Sequence, residues 1–167
     1  IEASNYPAYA LKTDGTVWAW GENEKKQLGD GTEINRLTPI QIPGLTDIEN
    51  ITAGTACAYA IKSDGTVWGW GANDYGKLGT GVSDLTYSTP VQMVDVEGAV
   101  AAAAGQHFVM ILTNEGAVFT CGNNSDGQLG DGTVENKSTA IGLVGLDGII
   151  EIAAGGKTAV VLDNDGN

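Results

Sequence analysis

Carboxylates recur at matching turns. Asp14, Asp64, Glu115 and Asp165 each precede a glycine: Gly15, Gly65, Gly116 and Gly166. An acid–base pair needs two carboxylates close together in unlike environments. Equivalent turns on successive units hold their acids apart in like environments, so turn chemistry explains them better than catalysis. Asp163-Asn-Asp-Gly-Asn167 opens like a calcium loop but has no closing glutamate, and it falls in phase with the other Asp-Gly turns. His107 is the single histidine, and one histidine does not make a multi-histidine metal site. Cys57 and Cys121 form no CxxC pair and read as buried thiols. No nucleophile elbow, phosphate loop or dinucleotide fingerprint occurs. Neither a catalytic constellation nor a cofactor is expected.

Trp18, Trp20, Trp68 and Trp70 could stack on a sugar or a base. They recur at fixed positions, however, and Phe119 and Cys121 replace them in the third copy. An aromatic that recurs and can be replaced is a packing element. Asn23, Asn73 and Asn124 likewise recur after the tryptophan strand and are expected to bond their own backbone. The residues left over break the pattern on loops. Lys25, Lys26 and Arg36 gather basic charge in the first copy, and Tyr75, Leu85 and Tyr87 decorate the second. Exposed Tyr and Arg are common interface anchors, so these six are the candidate protein-contact residues.

The elements that carry these residues follow from internal repetition. Lys12-Thr-Asp-Gly-Thr-Val-Trp-Ala-Trp-Gly21 returns as Lys62-Ser-Asp-Gly-Thr-Val-Trp-Gly-Trp-Gly71 and, weakened, as Thr113-Asn-Glu-Gly-Ala-Val-Phe-Thr-Cys-Gly122. The turn glycines are spaced 50, 51 and 50 residues apart. Two further blocks keep the same phase: Gln27-Leu-Gly-Asp-Gly31 with its counterparts at 77–81 and 128–132, and Ile51-Thr-Ala-Gly54 with counterparts at 102–105 and 152–155. The extra residue of the second copy lies between Gly81 and Pro90, which marks a surface loop. Strands are expected at 58–62, 66–70, 90–94 and 99–103, the first two forming a hairpin. No segment carries a capped pattern of helical period. Small residues inside strands, such as Ala19, Ala53 and Gly69, predict close approach of a neighbouring backbone.

Composition agrees. There are 25 glycines in 167 residues, about twice the usual share, beside an ordinary apolar content of 42%. The net charge is −13, with Arg36 the single arginine, which argues against a nucleic-acid partner. No apolar run reaches the roughly 18 residues of a membrane span, so membrane insertion is not expected.

The Asp-Gly-Thr-Val-Trp-x-Trp-Gly words, the Asn-x-x-x-Gln/Lys-Leu-Gly-x-Gly loop and the Ala-x-Ala-Gly ending resemble the regulator of chromosome condensation repeat family. The resemblance covers essentially the whole chain. It implies an all-β fold of β-propeller repeats, about 50 residues per four-stranded blade, drawn from a seven-bladed ring. The repeats fall at 1–50, 51–100, 101–150 and an incomplete 151–167, a partial propeller of three blades plus part of a fourth. A ring is then expected to be completed by the rest of a longer chain or by a second copy. The wording is similar to the prokaryotic branch of the family, whose members are commonly parts of secreted or surface proteins. An extracellular or cell-surface location follows as the expectation, with the cytoplasm not excluded. The resemblance implies a non-enzymatic protein-interaction module, with guanine-nucleotide exchange on a small GTPase and a structural spacer in a surface protein as the rival functions.

Overall fold

A computed structural model of the chain describes residues 1–3, 7–146 and 148–167. Among the described residues fourteen strands follow one another: β1 (Glu2–Ala3), β2 (Pro7–Leu11), β3 (Val17–Gly21), β4 (Arg36–Gln41), β5 (Ile48–Gly54), β6 (Cys57–Lys62), β7 (Val67–Ala72), β8 (Thr86–Gln92), β9 (Ala99–Ala104), β10 (Phe108–Thr113), β11 (Val118–Gly122), β12 (Lys137–Gly142), β13 (Ile149–Gly155) and β14 (Thr158–Asp163). They form four antiparallel sheets in chain order: β1–β4, β5–β8, β9–β12 and the pair β13–β14. The described helical structure is one short 3-10 turn, Asp74–Gly76. The architecture is a partial β-propeller of three four-stranded blades and a two-stranded fourth.

Sequence dictates the central hairpins of the first two blades locally. Between β6 and β7 the Asp64 carboxylate accepts the Thr66 backbone N–H at 3.0 Å and the Thr66 hydroxyl at 2.7 Å. The Trp68 indole N–H then donates to Thr66 Oγ1 at 3.1 Å. Asp14, Thr16 and Trp18 repeat the arrangement between β2 and β3. Two strands differ from expectation. Ala99–Ala104, expected to complete the second copy's four strands, instead opens the third sheet, and Ile48–Gly54 opens the second. The fourth strand of the second blade runs over Thr86–Gln92, not 90–94. Thr86 and Tyr87 pair with Ala72 and Gly71 beyond a bulge between Gly69 and Gly71, which carries the pairing further back. Gly71 holds φ +91° there, and a Cβ would press on Cys57 Cα at 2.9 Å. Pro90 sits opposite the bulge on the outermost strand, where a missing N–H costs least.

The core lies between the sheets. One buried cluster joins Tyr9, Val17, Leu28 and Ile42 of the first blade to Ala58, Ala60 and Trp70 of the second. The next joins Tyr59, Val67 and Leu78 to Val109, Ile111 and Cys121. A third joins Phe108, Met110 and Val118 to Ile149 of β13. No blade can therefore bury its apolar side chains alone, which is the energetic reason for repetition. At the other side of the fan β5, β9 and β13 run against one another. The Ala-Val-Ala-Ala-Ala-Ala sequence of β9 suits that crowding, and a Cβ on Gly54 would already meet the Ala104 methyl at 3.1 Å.

Candidate functional site

The up-and-down order gives each blade two ends. One end holds the β7–β8 loop and the β5–β6 turn; the other holds the β6–β7 turn and the link from β8 to β9. The candidate contact residues all lie at the first end, so the loop architecture there decides which side chains are free.

Each loop is closed by its asparagine, which is fully buried. Asn73 Oδ1 accepts the Leu78 N–H at 2.8 Å, and its amide donates to the Val82 carbonyl at 2.9 Å. Asn23 and Asn124 make the same bonds to Leu28 and Thr32, and to Leu129 and Thr133. In the first and third blades Asn35 and Asn136 accept the backbone N–H of those asparagines. In the second blade, where the loop is longer, the Leu85 carbonyl takes that place at 2.9 Å.

A second recurring feature ties blade to blade. The Gln27 carbonyl accepts the Tyr9 hydroxyl at 2.5 Å from its own blade and the Trp70 indole N–H at 2.8 Å from the next. The Lys77 carbonyl repeats this with Tyr59 at 2.8 Å and the Cys121 thiol at 3.4 Å. Sequence reasoning found the aromatic positions but missed these acceptors, because a carbonyl has no side-chain signature. It also missed the burial of Lys77, whose ammonium donates to the Thr55 carbonyl at 3.0 Å and reaches Asp74 at 3.3 Å.

The six candidate residues divide into two groups. Arg36 donates from Nε and Nη2 to the one oxygen Asp30 Oδ2, and Tyr87 shares a hydrogen bond of 3.2 Å with Thr80. Arg36, Tyr87 and Lys137 occupy one sheet position, opposite Gly21, Gly71 and Gly122, and Lys137 faces Asp131 at 3.6 Å. These are variants of one loop latch. Lys26 stands where the other blades have Gly76 and Gly127, holds φ +60°, and meets Glu33 at 3.3 Å. Lys25, Tyr75 and Leu85 are exposed. Tyr75 packs edge-on against His107 of the next blade, with ring centroids 5.3 Å apart. The loops thus bring these residues to one end of the fan, with Lys25, Tyr75 and Leu85 outward.

The titratable groups are structural in their surroundings. Burial pushes the Cys57 thiol up and the Cys121 thiol up to about 12. Both are free thiols inside the core between the second and third blades. Burial, and then Lys77, lower the His107 imidazole. The Asp163 carboxylate accepts the N–H groups of Asp165 and Asn167, closing the last turn on itself. Among the described residues no group of three or more His, Cys, Asp or Glu could hold a metal ion.

With this geometry in place, the model of the regulator of chromosome condensation (RCC1) repeat matches residues 14–61, 64–112 and 115–162. The chain belongs to the RCC1 repeat family. Each matched segment opens at or beside the carboxylate turn and ends in the second strand of the next blade, so the family unit spans the inter-blade core. The "Protein RCC2 homolog" of Danio rerio is 32% identical over 159 residues, which is 94% of this chain and 22% of that protein. The "Secretion-regulating guanine nucleotide exchange factor" of Bos taurus is 29% identical over 134 residues, covering 78% of this chain and 29% of that protein. Among solved structures, Prp20p from Saccharomyces cerevisiae, described with its binding to Gsp1p and histones, superposes with a TM-score of 0.83 at 21% identity, over 97% of this chain and 44% of its own. The chain thus spans less than a third of these relatives in sequence and under half of the propeller it matches.

These RCC1 relatives are intracellular proteins, and they overturn the extracellular or cell-surface location expected from the sequence. The reason is physical. Asp-Gly-Thr-Val-Trp-x-Trp-Gly is dictated by the Asp–Thr–Trp turn and by blade stacking, and neither depends on a compartment.

Proposed function

We propose that this chain acts as a non-enzymatic protein-interaction module, with its partner contacting the end that carries Lys25, Tyr75 and Leu85. One observation carries the reading: at this end the recurring asparagines and the Tyr9, Tyr59 and Trp70 side chains are spent inward, on closed loops and inter-blade bonds, while the outward residues differ from blade to blade. A constant frame with variable loops suits recognition. A photo-crosslinking residue at position 75 or 85 is expected to capture a protein partner, and the same residue at Thr13, on a turn at the other end, is not. Capture from Thr13 alone would overturn the choice of face.

Guanine-nucleotide exchange is the second reading, favoured by the bovine exchange factor among the relatives. Its test is nucleotide release from a panel of small GTPases. Acceleration by this chain, abolished by substitution at its exposed loops, would replace the first reading.

A further inference from the structure

The groove between the second and third blades, at the end away from Tyr75 and Leu85, has a composition its neighbours lack. It encloses about 1230 Å³ and is lined by the β6–β7 turn, the β8–β9 link and the β10–β11 turn. Met93 and Val96 are buried beneath it, and Phe119 forms a half-buried aromatic wall. Asp64, Asp95, Glu97 and Glu115 rim it, and none of its lining residues is Lys or Arg.

Two comparisons within the chain say what this groove would take. In the first two blades the aromatic at this strand position carries an ammonium: Lys12 Nζ lies 5.6 Å from the Trp18 ring centroid, and Lys62 Nζ lies 4.6 Å from that of Trp68. In the third blade Thr113 and Phe119 stand at those positions, so the ring has no lysine of its own. The link differs as well. Asp95 and Glu97 stand where the first blade has Gly44 and Thr46, and Asp95 holds φ +61° at a place where Gly44 and Gly145 hold +78° and +84°. A residue with a side chain is uncommon in that conformation.

We infer that this groove docks a lysine- or arginine-bearing segment of a partner protein, one cationic side chain lying on Phe119 and its neighbours meeting Asp64, Asp95, Glu97 and Glu115. Charge complementarity selects the partner. A planar or ammonium cation over an aromatic face is attracted by the ring quadrupole, and the surrounding carboxylates add a field of one sign. The site lies at the opposite end from the contact proposed above and stands independently of it.

The test uses the full chain and a short fluorescein-labelled peptide alternating glycine with lysine and arginine, with the glutamate analogue as control. Fluorescence anisotropy is expected to show binding of the basic peptide alone, weakening as salt is raised. Two variants borrow the chain's own residues and so respect its fold. Asp95→Gly with Glu97→Thr installs the first blade's link, and Thr113→Lys installs the lysine of the first two blades. Each is expected to weaken the basic peptide about tenfold or more, the first by removing rim charge and the second by occupying the ring. No binding by the unaltered chain, or equal binding by both variants, would overturn the inference. Because the peptide probe bypasses the loop end, failure here leaves crosslinking at positions 75 and 85 to be judged separately.

Discussion

Removing the two donors on the Gln27 carbonyl, singly and together, probes the junction between the first two blades. Tyr9 and Trp70 both donate to that oxygen, at 2.5 and 2.8 Å, and their rings meet edge-on at 5.9 Å. Burial pushes the Tyr9 phenol well up, so it remains a donor throughout the neutral range. Tyr9→Phe deletes one hydrogen bond while Trp70 still serves the carbonyl, and its cost is about 1 kcal/mol. Trp70→Phe loses a hydrogen bond and leaves a void, together about 2–4 kcal/mol. The double variant leaves a buried carbonyl with neither donor, which adds about 1–3 kcal/mol beyond the sum. Urea unfolding followed by far-ultraviolet circular dichroism gives the four free energies without relying on tryptophan emission. Single effects that add to within about 0.5 kcal/mol would refute the claim that the two side chains share one buried acceptor.

Other expectations concern the loops, the carboxylates and the thiols. Asn73→Ala strands the Leu78 N–H and the Val82 carbonyl, and is expected to cost about 2–4 kcal/mol in the same unfolding assay. Acid is expected to destabilise the chain. Burial pushes the Asp30 carboxylate up, but Thr32, Arg36 and Asn23 outweigh it and hold it low; the Thr133 N–H, with Thr133, Asn124 and Lys137, brings Asp131 down to about 2. A carboxylate lower when folded than its unfolded value near 3.8 adds stability above that value, and the gain is lost as pH falls toward 2. The urea midpoint should therefore drop between about pH 4 and pH 2, and Asp131→Asn should flatten part of that slope. A thiol reagent is expected to leave Cys57 and Cys121 unmodified in the folded chain and to label both in denaturant.

Much of the fold could be read from the residues. The Asp-Gly-Thr-Val-Trp words name a hairpin because each polar atom in them bonds the next, and that logic is local. The turn, the asparagine-closed loop and the alanine-rich inner strand were all legible for this reason. Thr86–Gln92 was harder. Its start depends on a bulge at Gly71, and a bulge is a relation between two strands. The candidate site was legible only in part. Arg36 reads as part of a basic cluster and Tyr87 as a loop decoration, yet they share one latch position against Asp30 and Thr80. Lys26 looked like part of a basic patch but fills a glycine's conformation. Asp95 and Glu97 carry no signal in the sequence, because a carboxylate in a link means little until the neighbouring blade supplies Phe119 and Glu115 beside it.

Repeated residues hold the blades together, and the exposed loop residues are proposed to bind. Isothermal titration with a partner captured at positions 75 or 85 tests this directly, comparing Trp70→Phe with the triple variant Lys25→Ala, Tyr75→Ala, Leu85→Ala. The triple variant is expected to lose about tenfold or more in affinity at an unchanged urea midpoint, while Trp70→Phe keeps its affinity and loses stability. Intact affinity in the triple variant, or lost affinity in a folded Trp70→Phe chain, would contradict it.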